Sequence, residues 1–133
     1  MWPFGKKSSP HEPISRGDMV ARYDRSLKSW VIECDSLEFY LPGASFNESA
    51  FDWAKEAASV IRSLDDKIRV RVMKCLEGWP CDKSKAKISH VYLDKYQESQ
   101  SLDLDFIGDE SWGDFNVNVI IKNGQIVDAY GGD

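Results

Sequence analysis

Residues 101 to 133 read SLDLDFIGDESWGDFNVNVIIKNGQIVDAYGGD, two β-rich runs joined by Asn123-Gly124, and the reading of that pair decides the fold class. Asn-Gly suits a two-residue type I′ turn, whose central residues both need positive φ, and the flanks Val117 to Lys122 and Gln125 to Tyr130 are rich in β-branched residues. The turn sets a register: Lys122 opposite Gln125, Ile121 opposite Ile126, Ile120 opposite Val127, Val119 opposite Asp128 and Val117 opposite Tyr130. One face then carries Val117, Val119, Ile121, Ile126 and Tyr130, with Asp128 set among them. A carboxylate on a core face is costly unless it finds donors. Asp128 is therefore expected at a frayed sheet end or on a backbone donor.

Upstream, Leu102, Leu104 and Phe106 alternate with Asp103, Asp105 and Ile107, the pattern of a strand with one buried and one wet face. It reads as the antiparallel neighbour of the hairpin. The connecting loop, Gly108 to Phe115, is acidic, bracketed by glycines and carries a tryptophan. Loops held by a rigid sheet often carry function. Asp109, Glu110, Trp112 and Asp114, together with Asp103 and Asp105, thus form the candidate partner-binding surface. The competing reading of Trp112 is a cap on the end of the core.

A chain of 133 residues fits one domain and buries roughly two-thirds of its unfolded surface without metal or disulfide staples. The expected division is a flexible tail over residues 1 to 18 and one α+β domain over residues 19 to 133. The formal charge is −5 and the pI about 5.0, which argues against nonspecific nucleic-acid binding, since that depends on Lys and Arg neutralising phosphates. Residues 98 to 133 hold eight acids against one base, a charge of −7, whereas residues 1 to 97 carry +2. Such a field favours a basic partner or a cation, although solubility alone also accounts for it.

Cys34, Cys75 and Cys81 form no Cys-x-x-Cys pair, so neither a disulfide framework nor a zinc knuckle is indicated and reduced, buried thiols are expected. Met1-Trp2-Pro3-Phe4 followed by Lys6-Lys7 falls short of a stable membrane anchor. No apolar run has signal-peptide length or reaches the roughly 18 residues of a membrane span, and a cytoplasmic protein is expected.

In chain order, residues 19 to 24 and 30 to 41 read as strands of a β-meander, with a polar turn over Asp24 to Ser29, a tight turn at Asp35-Ser36 and an end at Pro42-Gly43. Asn47 is the expected N-cap of a first helix, with Phe46 and Phe51 as its hydrophobic staple. Ala50, Ala54, Ala57, Ile61 and Leu64 recur at helical spacing as its buried stripe. Residues 65 to 78 read as a second helix, with Ile68, Val72, Cys75 and Leu76 on one side and Gly78 as the stop, although Ile68, Val70 and Val72 also alternate as in a strand. Residues 88 to 96, ISHVYLDKY, read as a short strand or an irregular connector. His11 has no evident partner. His90 near Tyr92 and Asp94 does not make a triad, and no Gly-x-Ser-x-Gly, Walker A, dinucleotide or His-Glu-x-x-His motif is present. No cofactor is implied.

Asp24-Arg25-Ser26-Leu27 before the Trp30 strand and a second strand, two helices ending at Trp79, and a Phe/Trp-Gly segment leading into the final hairpin resemble a family of uncharacterised, mostly bacterial proteins, a domain of unknown function. The resemblance spans roughly residues 19 to 131. A His often follows the Trp-Gly pair in that family, whereas Asp114 stands here, so any function of that His is not carried over. What the resemblance implies is a fold, with a helix over residues 65 to 78, and no activity.

The expected architecture is α+β: an N-terminal β-meander, two helices, and a C-terminal antiparallel hairpin with its neighbour, the helices packed on one face of the sheet. Two functional readings follow. The first is a non-catalytic binding protein that neutralises a basic protein partner such as a toxin domain, as immunity proteins do with acidic surfaces. The second is a metal-dependent hydrolase in which Asp103, Asp105, Asp109, Asp114 and Asp128 supply oxygen ligands for Mg²⁺ or Ca²⁺. Convergence of those carboxylates on one point would favour the second.

Overall fold

Among the described residues, alternation of apolar and polar side chains builds eight strands whose order in the sheet follows their order in the chain. The computed structural model describes residues 11 to 132; Met1 to Lys7, read above for membrane affinity, lie outside the described residues. The strands are β1 (Ile14–Arg16), β2 (Met19–Asp24), β3 (Ser29–Cys34), β4 (Leu37–Pro42), β5 (Lys87–Tyr92), β6 (Ser101–Ile107), β7 (Asn116–Lys122) and β8 (Gln125–Gly132). All neighbouring pairs are antiparallel except β4 and β5, which run parallel with Phe39 opposite Val91 and Tyr40 opposite Tyr92. A parallel pair needs a crossover. Here it consists of α1 (Ala50–Ser63) and α2 (Asp65–Cys75), so the meander and the hairpin unit become halves of one sheet.

The helices lie on one side of that sheet, α1 against β3 and β4, α2 against β7 and β8. Their apolar stripes meet Ala21, Trp30, Ile32, Phe39, Val91, Leu102, Leu104, Phe106, Val117, Val119 and Ile121, all buried. This core cluster therefore lies between the sheet and the helices. Residues 65 to 75 are helical, with Ile68 and Val72 buried, Leu76 buried just beyond, and Val70 exposed on the outer side. The β-like alternation there loses because only a helix brings Ile68, Val72 and Leu76 onto one face. No helix among the described residues is long and apolar enough to cross a membrane.

Several local expectations are corrected. The strand content begins earlier than residue 19, because Ile14–Arg16 of the segment read as tail pairs with β2. His11, for which the sequence offers no partner, stacks on Tyr23 with ring centroids 3.8 Å apart. Asn47 is not the N-cap of α1: its side chain accepts from the Ser49 backbone N–H at 2.9 Å, a turn that precedes the helix, and Ser49 occupies the cap position. Phe46 and Phe51 do touch, edge to face at 5.2 Å, but with Ser49 as the cap they no longer stand at the N′ and N4 positions of a staple. Asp35 and Ser36 both take positive φ, 53° and 65°, as a two-residue type I′ turn demands. The three thiols are free and half-buried rather than buried. Desolvation pushes the Cys34 and Cys75 thiols up.

The larger correction concerns β8. Lys122 opposes Gln125 and Ile121 opposes Ile126, as the turn requires, but Asp128 then stands opposite Ile120 instead of Val119. Val127 is the extra residue of a β-bulge, and it shifts every later residue of β8 by one place. Ala129 rather than Asp128 thereby joins the residues packed against the core. Asp128 is exposed and accepts the Ala129 backbone N–H at 2.9 Å.

Candidate functional site

A second bulge decides what the other side of the sheet displays. Lys87 opposes Ile107 and Ile88 opposes Phe106, yet His90 opposes Asp105, so Ser89 is the extra residue in β5. Without it the alternation from Ile88 would turn His90 toward the helices. Bulges commonly re-aim a side chain in this way. His90 instead joins two rows of residues that cross the face which no helix among the described residues covers. One row runs Tyr40, Tyr92, Asp103, Ile120, Asp128; the other runs His90, Asp105, Asn118, Tyr130.

The rows are cross-linked by diagonal side-chain contacts of the kind adjacent strands permit. Asn118 Nδ2 donates to Asp103 Oδ1 at 3.0 Å, and Asn116 Nδ2 donates to Asp105 Oδ1 at 2.7 Å. Each carboxylate is thus fixed through one oxygen. The ring of His90 lies 4.4 Å from that of Tyr40 and 5.9 Å from that of Tyr92, nearly parallel to the latter. Tyr40 donates its hydroxyl to Glu38 Oε1 at 3.0 Å and is only 7% exposed, although no helix among the described residues lies over it. Its neighbours on the sheet provide that burial.

Burial, and then the bond to Glu38, pushes the Tyr40 phenol up to about 12. Burial followed by the Asp105, Asp103 and Asp94 carboxylates raises Tyr92. On the helix side, Tyr96, buried and donating to Glu56 Oε1 at 2.9 Å, is also pushed up to about 12. A folded-state pKa above the unfolded value means that the unfolded chain loses these protons first. The stability that Tyr40 and Tyr96 contribute is complete below pH 10.0 and is lost as pH rises through about 12. A near-ultraviolet titration should show a late tyrosine ionisation close to the alkaline unfolding transition, and Tyr40→Phe should remove part of it. Full ionisation of all tyrosines before any loss of fold would contradict this.

Ser89, His90 and Asp105 are the residue types of a hydrolase triad, but both partners approach the same nitrogen. Ser89 Oγ lies 2.6 Å and Asp105 Oδ2 3.9 Å from His90 Nδ1. A relay needs the nucleophile on one ring nitrogen and the carboxylate on the other. What this arrangement can do is hold a flat aromatic and acidic surface in place.

The residues singled out from the sequence divide between three places. Asp103 and Asp105 stand at the centre of the uncovered face. Asp109, Glu110 and Asp114 lie on the exposed connection from β6 to β7, where the Asp109 side chain accepts from the Ser111 backbone N–H at 3.0 Å. Trp112 is 1% exposed and its Nε1 donates to the Asp82 carbonyl at 2.9 Å, so it closes the core and offers no contact surface. Asp128 sits two strands from Asp103, on the edge strand. The five carboxylates proposed as metal ligands do not converge, and among the described residues no group of three or more His, Cys, Asp or Glu side chains could hold a metal ion.

Sequence reasoning did not single out Glu38, Tyr40, Tyr92, Asn116 or Asn118. The signal was available in Asp-x-Asp over 103 to 105 and Asn-x-Asn over 116 to 118, two polar dyads on strands already read as neighbours. No family model, curated protein or solved structure matches the chain, and the resemblance drawn from its element order supplies no activity.

Proposed function

We propose that the protein is a non-catalytic binding protein that docks a basic protein partner on the uncovered face of its sheet. The observation that carries this reading is the pair of cross-linked rows: carboxylates and aromatic rings fixed by neighbours on a face that, among the described residues, no helix covers. Asp24, Glu33, Glu38, Asp103, Asp105 and Asp128 occupy that face against Arg22, Lys87 and Lys122. Side chains already held in place lose little entropy on association, and excess negative charge steers a cationic surface toward them. A groove that binds nucleic acid has the complementary chemistry, since it is lined to neutralise phosphates.

The test is kinetic. A basic protein captured on the immobilised chain, then purified, should associate at a rate that falls at least about tenfold between low and high salt, while dissociation changes little. An association rate independent of salt would remove electrostatic docking.

A further inference from the structure

Glu33 and Glu38 stand directly opposite each other on β3 and β4. Like charges in that position destabilise a sheet, and a cation lying between them relieves the repulsion. They line a hollow of about 490 Å³ that also contains Asp18 and Asp24, so that among the described residues four carboxylates face the guanidinium of Arg22. Tyr40 forms its wall toward β5. Across the Tyr40 and Tyr92 rings, whose centroids are 6.0 Å apart, lies a second hollow of about 380 Å³ lined by Tyr92, Asp94, Asp103 and Lys95. Two acidic hollows thus flank one aromatic ridge made by Tyr40, His90 and Tyr92.

Resting on the docking function proposed above, we infer that the ridge and hollows take an extended, arginine-bearing segment of the partner, with one guanidinium in each hollow, the one in the second hollow lying with its plane against the half-buried Tyr92 ring. Alternate residues of an extended chain point to the same side, so arginines two or four places apart straddle the ridge. Arginine fits better than lysine because its planar group is weakly hydrated, stacks on an aromatic face and can meet a carboxylate through two parallel N–H groups. The second carboxylate oxygens are the acceptors: Oδ1 of Asp103 is taken by Asn118, and Oε1 of Glu38 by Tyr40.

The probe is a capped five-residue peptide with arginine at alternate positions and glycine between, compared with its lysine counterpart by calorimetric titration of the intact protein at low salt. The arginine peptide should bind at least about tenfold tighter. Glu33→Gln with Asp94→Asn, both exposed positions, should weaken it by about tenfold with no fall in melting temperature, since the first change also relieves the repulsion with Glu38. Tyr92→Leu, which keeps apolar bulk without a ring, should bring arginine down to the lysine level. Equal affinities for the two peptides, or an arginine preference that survives both variants, would overturn the inference. If the equal affinities vanish when Glu38, Asp103 and Asp105 are neutralised, docking on this face stands and only arginine selection fails. If neutralising them leaves either peptide bound as before, both readings fail.

Discussion

Trp112→Ala is expected to destabilise the protein by about 4 kcal/mol, the range found when a buried tryptophan is truncated and its cavity persists. The side chain is 1% exposed and its indole N–H is bonded to the Asp82 carbonyl. Ser111 Oγ reinforces the same junction by accepting the Asp82 backbone N–H at 2.8 Å. Removing the ring therefore unpins the β6 to β7 connection from the segment after α2 as well as opening the core. Gly108 shows how closely the ring is held: a Cβ there would lie 2.1 Å from it, so Gly108→Ala should also cost stability through overpacking. Urea unfolding gives the measure, with the midpoint for Trp112→Ala lowered by about 2 M for a typical slope. A midpoint equal to that of the unaltered protein would mean that Trp112 does not close the core.

The parts of the fold legible in the sequence are those governed by uninterrupted periodicity. Leu102, Leu104 and Phe106 announce β6, the alanine stripe announces α1, and Asn123-Gly124 fixes the turn between β7 and β8, where both residues take positive φ. What was not legible follows from single extra residues. From Ile126, strict alternation sends Asp128 inward; from Ile88, it sends His90 inward while Val91 and Leu93 contradict it. In each case a polar residue falling on a core position marks a strand out of phase with itself, and a bulge absorbs the conflict at less cost than burying the group. The union of the two halves into one sheet was also hidden. The parallel β4 and β5 pair is a contact between segments far apart in sequence, on which local pattern has no bearing.

The candidate site was half legible for the same reason. Asp103 and Asp105 stand out as acids in a strand, but their companions come from β4, β5 and β7 and become neighbours only through the register. Trp112 drew attention to the loop because a tryptophan among acids and glycines resembles a contact surface. Gly108 instead serves the ring by its missing side chain, and Gly113 ends the turn after it with a positive φ of 59°.

Neutralising the face should have the largest effect on binding. In Glu38→Gln with Asp103→Asn and Asp105→Asn, the amides keep shape and hydrogen-bonding capacity, so the strand contacts with Asn116, Asn118 and Tyr40 persist and folding is retained. What is lost is charge at three positions that the basic partner approaches closely. At roughly 1 kcal/mol each, the sum is about 3 kcal/mol, or a dissociation constant raised about 100-fold. The loop variant Asp109→Asn with Glu110→Gln and Asp114→Asn removes the same number of charges from the neighbouring connection and should weaken binding less than about threefold, the effect of screened rim charges. Calorimetric affinity of the purified basic partner for these two triple variants, at one salt concentration and with melting temperatures checked, tests whether the uncovered face is the docking surface. The expected result is loss of binding in the face variant alone; loss in the loop variant with the face variant intact would contradict it.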